Sequence, residues 1–345
     1  MYPPFDMRVI HIAGGAPTET AINEAAEVLR RGGLVAFPTE TVYGLGANAL
    51  DASAVAGIFA AKGRPSYNPL IVHVPHEDAA RQLAAEWPDT AAQLAAAFWP
   101  GPLTLVLRKR DVVPDIVTAG LDSVALRVPS HPVALALLRA TRLPLAAPSA
   151  NRSMALSPTT AQHVARSLGD RVDLILDGGP TTVGIESTVV DLRGGRPSIL
   201  RPGLLGAREI EPVVGALAAP NEPTGDAARP APGMLDRHYA PRAQLRLFAS
   251  GDASSIERES TALAARGARV ATLVLDASFG SAAQQIIRMP ADPARYAQRL
   301  YATLHELDES GYDVVFVERV PEGDAWAGVR DRLERASRSI PEEES

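Results

Sequence analysis

The chain has 345 residues, an apolar fraction of 46% and a formal net charge of −6. Its length exceeds that of one typical hydrophobic core, so two globular domains are expected. The negative net charge gives no general attraction to nucleic-acid backbones or anionic lipid, and the absence of cysteine excludes disulfide scaffolds, thiolate nucleophiles and cysteine zinc sites.

The first part of the chain mixes helix and strand patterns. An amphipathic helix is predicted over residues 18–31, before the buried strand "GLVAFP". A helix over 52–61, a polar loop "KGRPSYNP", the strand "LIVHV", a helix over 79–97 and the strand "LTLVLRK" follow. Later strands are predicted at "VALRVP", "PLAAPSAN", "LILDGG", "STVVDLR" and "SILRPG". Because these elements do not alternate strictly, a mixed α/β sheet is favoured over a doubly wound one.

A segment rich in proline, alanine and glycine follows, from Val213 to Pro241. Long connections without periodicity are either spacers or functional lids, and the histidine and tyrosine in its last part, "PGMLDRHYAP", favour a lid. Beyond it, four strand patterns are separated by helical patterns, which predicts a small parallel, Rossmann-like α/β domain. The predicted division is therefore 1–212 for the first domain, 213–241 for a linker or active-site lid, and 242–345 for the second domain.

Motifs of several common enzyme classes are absent from the sequence. It has no P-loop, no zinc-protease motif and no Gly-x-Ser-x-Gly nucleophile motif, and "GLGANA" completes only part of a dinucleotide fingerprint. His73 and His76 flank a strand end without a third metal ligand, so no metal site is predicted there. The N-terminal residues do not form a signal peptide and no apolar run is long enough to span a bilayer, so a cytoplasmic protein without a membrane role is expected.

Polar donors gather at several predicted loops and strand ends. Lys62 and Arg64 lie two residues apart in a loop, where an extended backbone would point both at one anion, although a solvated basic loop explains them equally well. Ser149 and Asn151 follow one strand, and Arg201 closes another; each is also a common turn or surface residue. With no candidate nucleophile, such a site would act by positioning and charge neutralisation. These residues alone predict the binding of a phosphorylated, polar ligand.

Seven stretches of the sequence, taken in order and spacing, resemble the YrdC-like threonylcarbamoyl-AMP synthases: "FPTETVYGLG", "KGRPSYNPLIVHV", "WPGPLTLVL", "VALRVPSHP", "APSANRS", "GIESTVVDL" and "ILRPG". "PGMLDRHYAP" and the domain after it are similar to the longer, two-domain form. The resemblance implies a YrdC-like mixed twisted sheet with helices. It also implies an enzyme that condenses L-threonine, bicarbonate or CO2, and ATP into threonylcarbamoyl-adenylate and pyrophosphate, with Mg²⁺ accompanying ATP.

Further expectations follow from this resemblance. The product would pass to a transferase complex that forms threonylcarbamoyladenosine beside the tRNA anticodon, so stable tRNA binding is not expected here. The resemblance implies catalytic roles for Lys62 and Arg64. It implies an ATP-binding set of Arg64, Asn68, Ser123, Ser149, Asn151, Ser157, Arg201 and Tyr239. It implies a threonine-binding set of Thr41, His73, Arg127 and Ser187, with Thr39 and Tyr43 shaping that end of the pocket.

The sequence departs from the family pattern at one position. Met154 follows "SANRS", where the family commonly has glycine, so this loop is expected to be stiffer or shifted around Ser153 and Ser157. Two rival functions remain. The carbamoyl-adenylating hydrogenase maturation factor shares this kind of domain but carries cysteine zinc motifs, which this chain lacks. A non-catalytic nucleotide- or RNA-binding module would instead bind tRNA in a salt-sensitive way without threonine-dependent ATP turnover.

Overall fold

The computed structural model describes residues 8–12, 14, 17–219, 239–275 and 285–338. These residues form a ten-stranded sheet in the N-terminal part of the chain and a four-stranded sheet in the C-terminal part. The predicted fold class, a mixed sheet with helices followed by a small parallel α/β domain, is confirmed.

The larger sheet mixes parallel and antiparallel pairs. Its strands are β1 (Arg8–His11), β2 (Val35–Pro38), β3 (Tyr43–Asn48), β4 (Ile71–His73), β5 (Leu103–Arg108), β6 (Ser123–Arg127), β7 (Leu145–Ala146), β8 (Leu174–Asp177), β9 (Thr188–Asp191) and β10 (Ser198–Arg201). They lie in the order β1-β8-β2-β3-β7-β4-β6-β5-β9-β10. The pairs β1 with β8, β2 with β8, β4 with β6 and β5 with β9 are parallel, and the others are antiparallel.

Helices pack on both faces of this sheet. They are α1 (Glu19–Arg30), α2 (Ala52–Lys62), α3 (Glu77–Arg81), α4 (Asp89–Phe98), α5 (Asp115–Thr118), α6 (Pro132–Thr141), α7 (Ala161–Leu168) and α8 (Ala207–Val214). The prediction of one helix over 79–97 is wrong, because the chain forms α3 and α4 with a loop between them. Pro88 is the N-cap of α4 in an extended conformation. A proline has no backbone N–H and disfavours helical geometry in the residue before it, so Pro88 opposes one continuous helix.

Strand alternation separates the core from the polar face. Val72, Leu105 and Leu126 belong to a cluster packed with residues of α2, α4, α5 and α7 on one face. On the opposite face, residues of α1 and α6 pack over the half of the sheet that contains β8, β2 and β7. The other half of that second face, formed by β4, β6, β5, β9 and β10, carries a small apolar cluster. It also presents polar side chains that include His73 and Arg127, which are register partners.

The glycines of "GLGANA" serve strand pairing. This stretch forms β3, antiparallel to β2, with Val35 opposite Gly46 and Phe37 opposite Gly44. A Cβ atom on Gly46 would lie 2.7 Å from the ring of Phe37, so the close approach of ring and backbone requires glycine there. The partial resemblance to a dinucleotide fingerprint therefore arises from hairpin packing.

The C-terminal sheet is entirely parallel, as predicted. Its strands are β11 (Gln244–Phe248), β12 (Val270–Val274), β13 (Gln285–Arg288) and β14 (Val314–Glu318), in the order β11-β14-β12-β13. The helices are α9 (Ala253–Ala265), α10 (Pro293–Glu309) and α11 (Ala327–Ser337). No helix in the described part of the chain is both long enough and apolar enough to cross a membrane.

Most of the predicted linker, residues 220–238, lies outside the described residues, so its proposed lid function is still a prediction. Its first residues belong to the end of α8, and Ala218 pairs with Ser198 in an isolated bridge. Where the description resumes, Tyr239 has a φ of 61° and is 1% exposed. The next residue, Ala240, donates its N–H to Met154 O at 3.0 Å. Both described ends of the linker therefore contact the N-terminal domain.

Candidate active site

A small pocket lies on the polar half of the larger sheet, closed on one side by Tyr239. Its cavity is about 50 Å³, which holds only a few water molecules. Its polar and charged lining residues are Thr39, Thr41, Arg64, His73, Arg127, Ser149, Glu186, Arg201 and Tyr239.

Two threonines from the turn between β2 and β3 form one end of the pocket. Thr39 Oγ1 donates to Val42 O at 2.6 Å, and it lies 2.8 Å from Thr41 Oγ1. Because a hydroxyl has one hydrogen and Thr39 uses it on Val42, Thr41 is the donor between the two side chains. The lone pairs of Thr41 Oγ1 are then left to accept hydrogen bonds from a ligand.

An arginine fixed by a carboxylate lies beside these threonines. Arg127 Nη2 donates to Glu40 Oε1 at 2.7 Å, and Arg127 Nε donates to Gly101 O at 3.3 Å. Glu40 also accepts from Ser130 N at 3.1 Å. Arg127 and Glu40 are both buried, so the guanidinium is held in one orientation at the end of β6.

His73 is an uncharged neighbour of Arg127. Burial, and secondly the charge of Arg127, lower the pKa of His73 to about 3. Its Nδ1 atom is buried and has no hydrogen-bond partner among the described residues. The ring meets Phe37 edge to face, with centroids 6.4 Å apart. A neutral imidazole with one ring nitrogen left over is suited to hydrogen bonding with a ligand.

Lys62 and Arg64 converge, but not through an extended loop as the sequence reasoning supposed. Lys62 is the last residue of α2, and Gly63 ends the helix with a left-handed φ of 60°. Arg64 lines the pocket, with Nε donating to Asn68 O at 3.1 Å and Nη2 to Pro69 O at 2.8 Å. Burial lowers the pKa of Arg64 to about 10.

Lys62 lies behind the pocket wall. Its Nζ donates to Ser149 O at 2.6 Å and to Asn151 O, and its carbonyl accepts from Ser153 N at 2.8 Å. Burial, and then the charge of Arg64, lower the pKa of Lys62 well below its usual value. This ammonium therefore holds the loop after β7 close to the end of α2 and adds positive charge near Arg64.

The loop after β7 has the backbone conformation that a glycine favours. Met154 adopts a left-handed φ of 68° with its side chain exposed, which is a strained conformation for a residue with a Cβ atom. Asn151 Nδ2 donates to Arg152 O and Ala155 O, each at 2.8 Å, while its buried Oδ1 has no partner in the described part of the chain. Asn151 thus retains an acceptor for a ligand.

At the other end of the pocket, Arg201 closes β10 beside the start of β9. Its Nη2 donates to Ser187 O at 2.9 Å and to Ser187 Oγ at 3.1 Å. Ser187 Oγ also lies 2.8 Å from Thr104 Oγ1. Ser187 and Arg201 therefore form one rigid polar unit.

Seven of the predicted residues are not among those that line the pocket: Tyr43, Lys62, Asn68, Ser123, Asn151, Ser157 and Ser187. Tyr43 lies in the core, its hydroxyl donates to Gly179 O at 2.7 Å, and its backbone carbonyl accepts from Ala150 N in the loop after β7. Ser123 begins the strand that ends in Arg127. Alternation puts these two side chains on the same face, but at opposite ends of β6, roughly 13 Å apart at the usual rise of a strand.

Glu186, which the sequence reasoning did not assign to the site, is a buried carboxylate in the pocket wall. It accepts from Ser157 Oγ, from the Tyr301 hydroxyl at 3.2 Å and from Arg332 Nε at 2.7 Å. Burial alone would raise the pKa of Glu186, but the charges of Arg332 and Arg201 bring its pKa below the ordinary value. Tyr301 and Arg332 come from the C-terminal domain, so both domains contribute to this wall.

The pocket offers cations rather than free carboxylates. Glu40 and Glu186 are each committed to an arginine. No group of three histidine, aspartate or glutamate side chains that could hold a metal is found among the described residues. His76 instead caps α3, with Nδ1 accepting from Ala79 N at 3.2 Å.

Comparisons with known proteins identify the family. The family model described as "Telomere recombination", which groups Sua5, YciO and YrdC, matches residues 27–203, and the model "Threonylcarbamoyl-AMP synthase, C-terminal domain" matches residues 205–338. The threonylcarbamoyl-AMP synthase of Pyrococcus abyssi is 45% identical over 92% of this chain and 94% of its own length. The chain belongs to the threonylcarbamoyl-AMP synthase family.

Other members of the family agree. The Bacillus subtilis threonylcarbamoyl-AMP synthase is 41% identical over 92% of both chains. A crystal structure of P. abyssi Sua5 complexed with L-threonine superposes with a TM-score of 0.88 and 42% identity, covering 96% of this chain and 97% of the other. The identification of a two-domain, YrdC-like threonylcarbamoyl-AMP synthase from sequence is thereby confirmed.

Three charged residues in or next to the pocket of this synthase were not predicted as site residues. Glu40 and Glu186 lie inside recognised motifs, next to Thr41 and Ser187, so their positions in the sequence could have indicated them. Arg332 lies on α11 among other charged residues. Nothing in the local pattern distinguishes it from a surface arginine, and only the tertiary structure places it in the site.

Proposed function

We propose that this chain is an L-threonylcarbamoyl-adenylate synthase, a nucleotidyltransferase that condenses L-threonine, bicarbonate or CO2, and ATP, and releases pyrophosphate. The reaction is the first step in forming threonylcarbamoyladenosine in tRNA. The observation that carries the proposal is one pocket lined by Thr41, His73 and Arg127 and also by Arg64 and Arg201, where burial and the nearby charge of Arg201 both lower the pKa of Arg64. The first set suits an amino acid and the second suits phosphates, within a fold of this family.

The amino-acid end fits L-threonine. Arg127, oriented by Glu40, would bind the carboxylate, because a guanidinium fork matches a carboxylate in shape and charge. Thr41 Oγ1 would accept from the ligand, and the neutral His73 would hydrogen-bond to it. Ser187, which is held by Arg201, would add a further contact to threonine. Thr39 and Tyr43 would support the pocket through Thr41 and the backbone. The complex of P. abyssi Sua5 with L-threonine supports this assignment.

The phosphate end fits ATP with its Mg²⁺. Lys62, Arg64 and Arg201 would neutralise the triphosphate. Asn68, Ser149, Asn151, Ser157 and, along the face of β6, Ser123 would complete the nucleotide contacts. Tyr239 would close over the bound nucleotide. With both pocket carboxylates paired to arginines, the phosphates would supply the main ligands of Mg²⁺.

The chemistry is then a phosphoryl-centred displacement. The amine of threonine loses a proton and forms a C–N bond with CO2, which gives a carbamate. A carbamate oxygen attacks the α-phosphorus of ATP, a new O–P bond forms, and the bond to the pyrophosphate oxygen breaks. No side chain forms a covalent bond, so the residues act by holding the reactants in line and by stabilising charge on the leaving group.

We also propose a cellular compartment and a recipient for the product. The synthase would work in the cytoplasm and would release its adenylate to a threonylcarbamoyl transferase complex. The net charge of −6 supports the expectation that tRNA is not stably bound here, because phosphate backbones are attracted to basic surfaces.

The test is pyrophosphate release by the full-length protein with ATP, Mg²⁺, threonine and bicarbonate. We expect rapid release only when all four are present, and much slower release when serine replaces threonine or when a chelator removes Mg²⁺. Release that ignores threonine, or salt-sensitive tRNA binding without threonine-dependent turnover, would contradict the proposal and favour a binding module.

A further inference from the structure

One arginine of the C-terminal domain reaches the active-site wall of the N-terminal domain. Arg332 lies on α11 and is 1% exposed. Its Nε donates to Glu186 Oε2 at 2.7 Å, and its Nη1 donates to Pro202 O at 3.0 Å and to Asp331 Oδ2 at 2.6 Å. Pro202 directly follows Arg201, so Arg332 contacts the chain on both sides of the phosphate end of the pocket.

The same guanidinium supports the residue that closes the pocket. Arg332 Cζ lies 4.9 Å from the centroid of the Tyr239 ring, a distance at which cation and aromatic face attract each other. Tyr239 also packs near Tyr301, with ring centroids 6.1 Å apart, and the Tyr301 hydroxyl donates to Glu186. Arg332, Glu186, Tyr239 and Tyr301 are therefore one connected group that spans both domains.

Charge explains why this group matters for a phosphate ligand. Glu186 lines the same pocket as Arg64 and Arg201. An uncompensated carboxylate there would repel a triphosphate and would compete with it for the arginines. Arg332 supplies compensating charge for Glu186 from the C-terminal domain, in addition to the charge of Arg201 in the pocket wall.

We infer that Arg332 is a positioning residue for ATP, which neutralises Glu186 and supports the ring of Tyr239 over the nucleotide. This gives the C-terminal domain a defined part in forming the ATP site. The inference rests on the proposed function, because it concerns the site of that same reaction.

The test compares KM values for ATP and for threonine in pyrophosphate release. Arg332→Met keeps most of the side-chain volume but removes the ion-pair partner of Glu186. We expect the KM for ATP to rise about tenfold or more, since one uncompensated charge near a polyanion acts strongly at low effective dielectric. The KM for threonine should change by less than about threefold, because Thr41 and Arg127 do not contact Arg332.

Removing the carboxylate should reverse the effect. In the double variant Arg332→Met with Glu186→Gln no charge is left unpaired, and we expect the KM for ATP to return to within about threefold of the wild-type value. Arg335→Met is the matched control. Arg335 lies on the same helix and donates to the same Asp331 at 2.8 Å, but it is not bonded to Glu186 in the described contacts. It should leave both KM values unchanged.

These outcomes separate the inference from the proposed function. If the wild-type protein shows no threonine-dependent release, the proposed function fails. If it does, an unchanged KM for ATP in Arg332→Met, or equal rises for ATP and threonine, overturns the inference. If Arg332→Met does not fold because of its unpaired carboxylate, the double variant decides. A folded double variant whose KM for ATP stays about tenfold raised also overturns the inference.

Discussion

Replacing Lys62 by methionine should remove most of the activity while the protein stays folded. Lys62 is 3% exposed, and its ammonium donates to Ser149 O and Asn151 O beside Arg64. Methionine keeps the stem but removes the charge and both hydrogen bonds. The loss of one such electrostatic group typically lowers kcat by about 10²- to 10³-fold, which corresponds to roughly 3–4 kcal/mol of transition-state stabilisation.

The effect on folding should be smaller. The two carbonyls lose their donor, which costs free energy of unfolding, but a buried ammonium next to another cation is also removed. These opposing effects should leave the free energy of unfolding within about 2 kcal/mol of the wild-type value.

The chain offers a matched control, because Lys109 is its only other lysine. Lys109 Nζ donates to Val113 O and to the exposed Asp115, far from the pocket lining. Lys109→Met should therefore retain activity within about twofold, because neither Val113 nor Asp115 lines the pocket. Initial rates of pyrophosphate release and urea unfolding curves measure both variants. A folded Lys62→Met protein with near wild-type kcat would refute the role given to Lys62.

Three further predictions concern single residues. Thr41→Ala should raise the KM for threonine about tenfold or more with little change in the KM for ATP, because it removes an acceptor for a charged ligand. Thr41→Ser should restore the KM for threonine. Equal effects on the two KM values would contradict this role of Thr41. Met154→Gly should raise the free energy of unfolding by about 1 kcal/mol by relieving the left-handed φ of 68°, whereas a lower melting temperature would disprove the strain. The pKa of His73 is lowered to about 3 in the folded protein. As pH falls below about 6.5, the imidazole therefore binds a proton in the unfolded chain but stays neutral in the folded one. Stability should therefore fall between about pH 7.5 and 5, and His73→Gln should lose about 2 kcal/mol less over that interval in urea titrations; an unchanged pH dependence would count against a buried neutral imidazole.

Much of the fold could be predicted from local patterns. The strands at "LTLVLRK" and "YDVVFVER" are runs of buried apolar residues with clear ends, and both form where expected. The prediction of one helix over 79–97 was wrong because the alanine-rich pattern continues through Pro88, which is instead the extended N-cap of α4. The strand β3 was missed because glycine and asparagine are poor strand formers, and only packing against Phe37 makes glycine favourable there.

Site residues that lie in recognisable sequence motifs could be predicted. Residues that only the tertiary structure brings to the site could not. Arg64, His73, Arg127 and Arg201 line one pocket as expected. Lys62 converges with Arg64 for a different reason, since a left-handed Gly63 turns the chain after α2. Tyr301 and Arg332 lie more than 100 residues after Glu186 in the sequence and reach it only because the second domain packs against the first. Local sequence periodicity cannot predict such a contact.

The central claim is that this pocket joins threonine, CO2 and the adenylate of ATP. Mass spectrometry of the reaction with ¹³C-labelled bicarbonate tests it most directly. We predict a threonylcarbamoyl-adenylate that carries the label, appears in step with pyrophosphate, and is absent when threonine or ATP is omitted. Pyrophosphate formation without a labelled adenylate, or a labelled product that forms without threonine, would contradict the account.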